Sequence, residues 1–205
     1  EGDEVTLLDG SGAEYSAIIA RVGKSEITLH VTGMHPSKSE PNADVLLLAG
    51  ALKGDKTELV VQKAAELGVK KVGVFASRYC AAYMNENKLE RLNKVSREAA
   101  KQCRRAVAPE VVYFDKFEDA LESAAGYESK LFACEFLEAG GGKLKLKGSS
   151  VAVMVGSEGG FTQEEFKLAK SFGFDGVSLG KRILRAETAA IALTSIVMYE
   201  MGELQ

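Results

Sequence analysis

The sequence predicts an α/β protein, a small β unit followed by a larger domain with a mostly parallel sheet and helices on both faces. Three observations carry this. From residue 45 onward, short apolar runs alternate with stretches of helical period. Val45–Ala49 and Val151–Val155 are unbroken apolar runs, as strands buried on both faces require. A chain of 205 residues, 46% hydrophobic and 27% charged, suffices for one large domain or a medium domain with a small companion.

Residues 1–33 read as short strands at Val5–Leu8, Tyr15–Arg21 and Glu26–Val31, the first two joined by a turn at Asp9-Gly10-Ser11-Gly12. Three such strands offer too little apolar surface to stand alone, so further residues are expected upstream. His35-Pro36-Ser37-Lys38-Ser39-Glu40-Pro41-Asn42 holds two of the three prolines among polar residues, the composition of a linker. The domains are therefore expected at 1–40, the β unit with its linker, and 41–205. Through Asp44 there are 3 basic and 8 acidic side chains, net −5, and beyond it 23 and 21, net +2.

After the Val45–Ala49 strand, Thr57–Leu67 has helical period and starts at Asp55, with Glu58 three residues on. A strand at Lys71–Ala76 precedes a long helix at Glu86–Arg105. Val111–Phe114 and Leu131–Cys134 read as strands on either side of a helix at Phe117–Ala125. Gly140-Gly141-Gly142, followed by Lys143, Lys145 and Lys147, reads as an exposed turn. Val151–Val155 leads to a helix at Thr162–Phe172 opened by the capping box Thr162/Glu165. A short strand at Val177–Leu179 and a helix at Glu187–Met201, apolar nearly all round and so buried on more than one side, close the chain.

Composition excludes several classes. The net charge of −3 argues against a protein that coats nucleic acid indiscriminately, so any RNA contact must come from a local patch. Cys80, Cys103 and Cys134 are odd in number and widely spaced, and only His30 and His35 accompany them, so neither a metal site nor a disulfide framework is expected. The absence of a long apolar run and of a secretory leader pattern predicts a cytoplasmic protein. Nucleotide motifs fail when spelled out. Gly156–Gly160 is not G-x-G-x-x-G, and Gly50–Thr57 is one residue short of a phosphate loop, with Asp55 where its lysine belongs.

In an open α/β sheet ligands bind beyond the carboxyl ends of the strands, which singles out two late loops. The first runs from Val155 through Gly156-Ser157-Glu158-Gly159-Gly160-Phe161 into the capped helix. Its glycines let backbone approach a ligand, although a plain tight connection would also use them. The second is Leu179-Gly180-Lys181-Arg182-Ile183-Leu184-Arg185-Ala186-Glu187-Thr188-Ala189. Arg185 stands at a helix start, where the dipole disfavours a cation, so it either has a role elsewhere or pairs with Glu187. A third feature is the helix carrying Lys94, Arg97, Lys101, Arg104 and Arg105, whose first four cations share a face. It is either a phosphate-binding stripe or a solvated surface.

Four ordered segments resemble the RsmE family, methyltransferases of the knotted SPOUT superfamily that act on small-subunit ribosomal RNA. Lys53-Gly54-Asp55-Lys56-Thr57-Glu58, continuing through Gln62-Lys63 to Glu66-Leu67-Gly68-Val69, resembles K-G-D-K-x-E-x-x-x-Q-K-x-x-E-L-G-V. Glu98–Gln102 with Arg105 and Pro109 resembles E-A-A-x-Q-S-x-R-x-x-x-P. The two late loops resemble G-P-E-G-G-F and L-G-x-R-I-L-R-x-E-T-A. Ser157 stands where the pattern has proline and Cys103 where it has serine, and Arg104 replaces the glycine usual in the family at that variable position. The resemblance covers the chain from residue 44, with Gly2-Asp3-Glu4-Val5 similar to the family's N-terminal part.

The resemblance implies a PUA-like β-barrel, apparently truncated here, a C-terminal domain with a trefoil knot, and a homodimer. It also implies S-adenosylmethionine (SAM) as cofactor and N3-methyluridine in 16S ribosomal RNA, within the small subunit, as product. Cofactor contacts are then expected from Val155, Gly156, Ser157, Glu158, Gly159, Gly160, Leu179, Gly180, Ile183, Leu184, Arg185, Glu187, Thr188 and Ala189. RNA contacts are expected from Lys94, Arg97, Lys101, Arg104 and Arg105. Uridine N3 carries a proton and becomes nucleophilic as that proton leaves, so a cation should stabilise the forming anion. Arg105 is the first candidate and Arg185 the second. The alternatives are an RNA-binding module without catalysis, against which the intact cofactor segments weigh, and a transfer-RNA methyltransferase of the same superfamily.

Overall fold

The computed structural model describes residues 1–134, 144 and 146–204; the turn expected at Gly140-Gly141-Gly142, with Lys143 and Lys145, lies outside the described residues. Strands β1 (Glu4–Leu8), β2 (Ala13–Val22) and β3 (Ile27–Pro36) form an antiparallel three-stranded sheet in that order. β2 pairs along its whole length with β3, with register shifts at Ser16/Ala17 and Ile19/Arg21. Bulges of this kind bend and twist a strand.

Then β4 (Asp44–Gly50), α1 (Lys56–Glu66), β5 (Lys71–Phe75), α2 (Glu86–Gln102), β6 (Glu110–Phe114), α3 (Phe117–Ser123) and β7 (Ser129–Ala133) follow. The chain continues through β8 (Ser150–Val155), α4 (Gln163–Ser171), β9 (Asp175–Val177) and α5 (Ala186–Glu200). The second sheet has the order β6-β5-β4-β8-β7-β9, and all five of its strand pairings are parallel. Side chains of β4 alternate between its two faces. Val45, Leu47 and Ala49 pack with Val60 and Val61 of α1, Leu92 of α2 and Leu193 and Val197 of α5. Leu46 and Leu48 pack on the other side with Phe117 and Leu121 of α3, Met154 and Phe174. From β4 the chain runs outward through β5 and β6, then returns to β4's other flank with β8. The carboxyl ends of β4 and β8 thus meet at the switch point where open sheets form their ligand crevices.

Local chemistry explains the element ends. Thr162 Oγ1 accepts the Glu165 N–H at 3.1 Å while Glu165 Oε2 accepts the Thr162 N–H at 2.8 Å, the capping box expected for α4. At α1 the cap position is Asp55, but its side chain makes no capping hydrogen bond. The helix expected to run to Arg105 stops at Gln102. Arg104 takes a φ of 63°, and the Arg105 N–H returns to the Ala100 carbonyl at 2.8 Å, a closure usually made with glycine.

The proline-rich segment after β3 is fastened on both sides. The Ser37 N–H donates to the Gly12 carbonyl at 3.1 Å and Ser39 Oγ donates to the Arg104 carbonyl. Glu40 Oε1 accepts the Val107 N–H at 2.9 Å, and Pro41 is buried.

At the base of the sheet Tyr127 donates to Asp44 Oδ1 at 3.5 Å. Burial, assisted by the Asp44 charge and this hydrogen bond, pushes its hydroxyl up to about 12 from the ordinary 10.0. Because the folded-state value is raised, the group's stabilising contribution is complete below pH 10.0 and is lost as pH climbs toward about 12. Tyrosinate absorbance of the folded protein should show a late ionisation that Tyr127→Phe removes. A wild-type curve without that late step would contradict the assignment.

Candidate functional site

An open cavity of about 760 Å³ lies beyond the carboxyl ends of β7, β8 and β9, a size ordinary for small-molecule sites. One wall is the loop after β8, Gly156 to Phe161; the other is the segment from Leu179 to Ala186, with Ala189 of α5. Val155, Val177, Ala133 and Cys134 form the floor, and Lys56 reaches in from α1.

The first wall is rigid because its end is anchored in the core. The ring of Phe161 is buried, 4.3 Å between centroids from Phe132, 5.8 Å from Phe117 and 6.3 Å from Phe75. Gly160 takes a φ of 68°, a conformation that side chains disfavour, and its N–H donates to the Ser157 carbonyl at 3.0 Å to close the turn. Glu158 Oε1 accepts the Lys53 N–H at 3.0 Å and lies 3.6 Å from Lys56 Nζ. Burial pushes the Glu158 carboxyl up, but the Lys53 and Glu158 backbone N–H groups and Lys56 outweigh it, so it falls below the usual carboxylate range. Behind the walls, Ser157 Oγ and Glu187 Oε2 are buried without a hydrogen-bond partner among the described residues.

Of the residues singled out for the cofactor, Val155, Gly156, Ser157, Glu158, Gly159, Gly160, Leu179, Gly180, Ile183, Leu184, Arg185 and Ala189 line this one cavity. Glu187 is buried next to it, its Oε1 3.6 Å from Lys56 Nζ, whereas Thr188 is exposed and outside the lining. Arg185 sits at the N-cap of α5, exposed, and is among the residues that line the cavity.

Arg105 is placed otherwise than the sequence suggested. It is 4% exposed; Nη1 donates to the Ala65 and Val69 carbonyls at 3.0 and 2.8 Å, and Nη2 pairs with Glu40 at 3.2 Å. It therefore clamps the end of α1 to the segment before β4, and it lies outside the cavity lining. Lys94, Arg97 and Lys101 are exposed on α2, and Arg104 is exposed just past its end. These four, too, lie outside the cavity lining.

Lys56 is the site residue that sequence reasoning missed. A cation in the first turn of a helix opposes the dipole, the same anomaly that marks Arg185. Ala133 and Cys134, at the end of β7, were reachable by the rule that sites lie beyond strand ends.

A parallel open sheet with a cavity between two glycine-marked loops at its carboxyl edge defines an α/β domain with a small-molecule crevice, and the family comparison gives the class. A model of the RNA methyltransferase domain matches residues 38–198, and the chain belongs to that family. Within it the chain groups with ribosomal RNA small subunit methyltransferase E. It is 31% identical over 179 residues to that protein from Mesomycoplasma hyopneumoniae, covering 86% of this chain and 77% of the relative. The same-named protein from Neisseria gonorrhoeae, solved bound to S-adenosyl methionine, superposes with a TM-score of 0.86 at 26% identity, covering 97% of this chain and 84% of that one. A protein from Legionella pneumophila solved in complex with SAM gives 0.88 at 28%, covering 98% and 84%.

Proposed function

We propose that this chain is a SAM-dependent methyltransferase that methylates N3 of a uridine in 16S ribosomal RNA of the small subunit. The observation that carries the reading is the cavity itself, assembled from the two segments that resemble the family's cofactor loops, in a chain of that family.

The residues present fit the cofactor. The cavity offers apolar side chains for an adenosine, among them Val155, Leu179 and Leu184, with backbone polar groups at its glycines and the unpartnered buried oxygens of Ser157 and Glu187 behind its walls. Bound there, SAM supplies an activated methyl group. The protein's part is to align uracil N3 with that methyl and to favour loss of the N3 proton. We assign that part to Arg185, which lines the cavity together with Lys56, Lys181 and Arg182. As negative charge spreads over N3 and the flanking carbonyl oxygens, its guanidinium stabilises it.

The finer architecture belongs to the same reading. Residues 1–40 act as a PUA-like β domain with its linker, and 41–205 as a trefoil-knotted SPOUT domain. Ile183 at 96%, Tyr199 at 58% and Ile196 at 42% exposure give the second wall and α5 an apolar surface suited to a homodimer. Lys94, Arg97, Lys101 and Arg104 supply a basic stripe for RNA phosphates. Among the described residues no helix is long and apolar enough to cross a membrane; a cytoplasmic setting belongs to the reading because its RNA substrate is there.

Calorimetric titration with SAM, using NAD as control, tests the cofactor assignment; saturable binding of SAM alone is expected. Arg185→Ala should keep SAM affinity within about threefold while lowering kcat by about 10²–10³-fold, the usual effect of losing one donor to a developing anion. A loss of SAM affinity that accounts for the whole loss of rate would contradict the role given to Arg185.

A further inference from the structure

We infer that Lys56 is a positioning residue that sets the spacing between the two walls of the cofactor cavity. The inference rests on the cofactor reading above and extends it to a residue outside both loops.

Lys56 lies in the first turn of α1, where the helix dipole opposes a cation, so its place needs compensation. Two carboxylates provide it. Its Nζ is 3.6 Å from Glu158 Oε1 on the first wall and 3.6 Å from Glu187 Oε1 in the first turn of α5, where the second wall ends. One ammonium thereby ties the chain after β4 to both walls at once. The hydrogen bond from the Lys53 N–H to the same Glu158 oxygen, 3.0 Å long, fixes that attachment a second time. Glu187 is 9% exposed with one oxygen unpartnered, so without Lys56 it would be a buried anion lacking a counter-charge. It would then turn toward water and take the start of α5 with it.

Charge alone and positioning make opposite predictions. The two carboxylates and Lys56 leave one net negative charge beside the cavity, and SAM carries one net positive charge. Removing the lysine raises the negative charge, so a purely long-range electrostatic role, acting on the net charge of SAM and not on its carboxylate, would leave SAM binding equal or tighter. A positioning role weakens it.

The experiment measures SAM dissociation constants by calorimetry, with thermal melts of the cofactor-free proteins, for wild type, Lys56→Met, Lys56→Arg and the double variant Lys56→Met/Glu187→Gln. Lys56→Met should raise Kd by about tenfold or more, the ordinary range for coupling between groups in one network. Lys56→Arg, which can still span both carboxylates, should recover wild-type affinity to within about threefold. The double variant removes the stranded charge, so it should melt close to wild type yet still bind SAM weakly. Unchanged or tighter binding by Lys56→Met, or full recovery of affinity in the double variant, overturns the inference. A wild-type protein that binds no SAM overturns the cofactor reading instead, and this inference with it.

Discussion

Arg105→Met is expected to lower folding stability by about 3–5 kcal/mol, the usual consequence of removing one partner from a buried ion pair. The side chain is 4% exposed, and its loss strands the Val69 carbonyl and one oxygen of Glu40, while the Ala65 carbonyl keeps the Gly68 N–H at 3.2 Å. Each stranded buried group adds a desolvation cost of about 1–3 kcal/mol, tempered at Glu40 because its side chain is 21% exposed. Urea denaturation at neutral pH would measure the change. SAM affinity, read where the variant is still folded, should stay near wild type, because the cavity is elsewhere. A variant as stable as wild type that binds SAM but transfers no methyl group would return Arg105 to the catalytic role the sequence suggested.

Gly50→Val should damage both folding and the cofactor cavity. Gly50 ends β4 at the switch point, and a Cβ there would stand 2.9 Å from the Gly156 carbonyl carbon and closer still to the Ser157 nitrogen. Both are backbone atoms of the first cavity wall, so the clash cannot be relieved by a rotamer. Overpacking of this kind costs about 1–3 kcal/mol, and moving the wall should weaken SAM binding by at least about tenfold. Gly126→Ala is the matched control, since its Cβ would meet nothing within 4 Å. If Gly50→Val binds SAM as wild type does, the close packing of β4 against the loop does not shape the site.

What the sequence disclosed follows from which forces are local. The apolar runs of β4 and β8 and the capping box of α4 are settled by neighbours in sequence, and they were legible. The order of the sheet was not, because the pairing of β4 with β8 joins residues about a hundred positions apart and depends on the whole fold. The end of α2 was misplaced for a local reason: Arg104 occupies a left-handed conformation where a glycine would have signalled the stop.

The site shows the same division. The two glycine-marked loops and the misplaced cation at Arg185 are visible in a linear reading, since each breaks a local preference. Lys56 breaks the same preference, but its purpose lies in Glu158 and Glu187, far along the chain. Arg105 shows where a motif match stops. A motif match says that an arginine belongs there, not which way it faces. Its partner, Glu40, sits 65 residues away in a stretch whose composition reads as a loose linker.

The assignment of 16S RNA methylation is tested most directly by incubating the protein with methyl-labelled SAM and small ribosomal subunits from a strain lacking this activity, then digesting the 16S RNA to nucleosides. Label is expected in N3-methyluridine, at about one methyl group per subunit, with SAM consumed in step. A protein that binds SAM yet leaves 16S RNA unlabelled, or that labels a different nucleoside, would contradict the assignment.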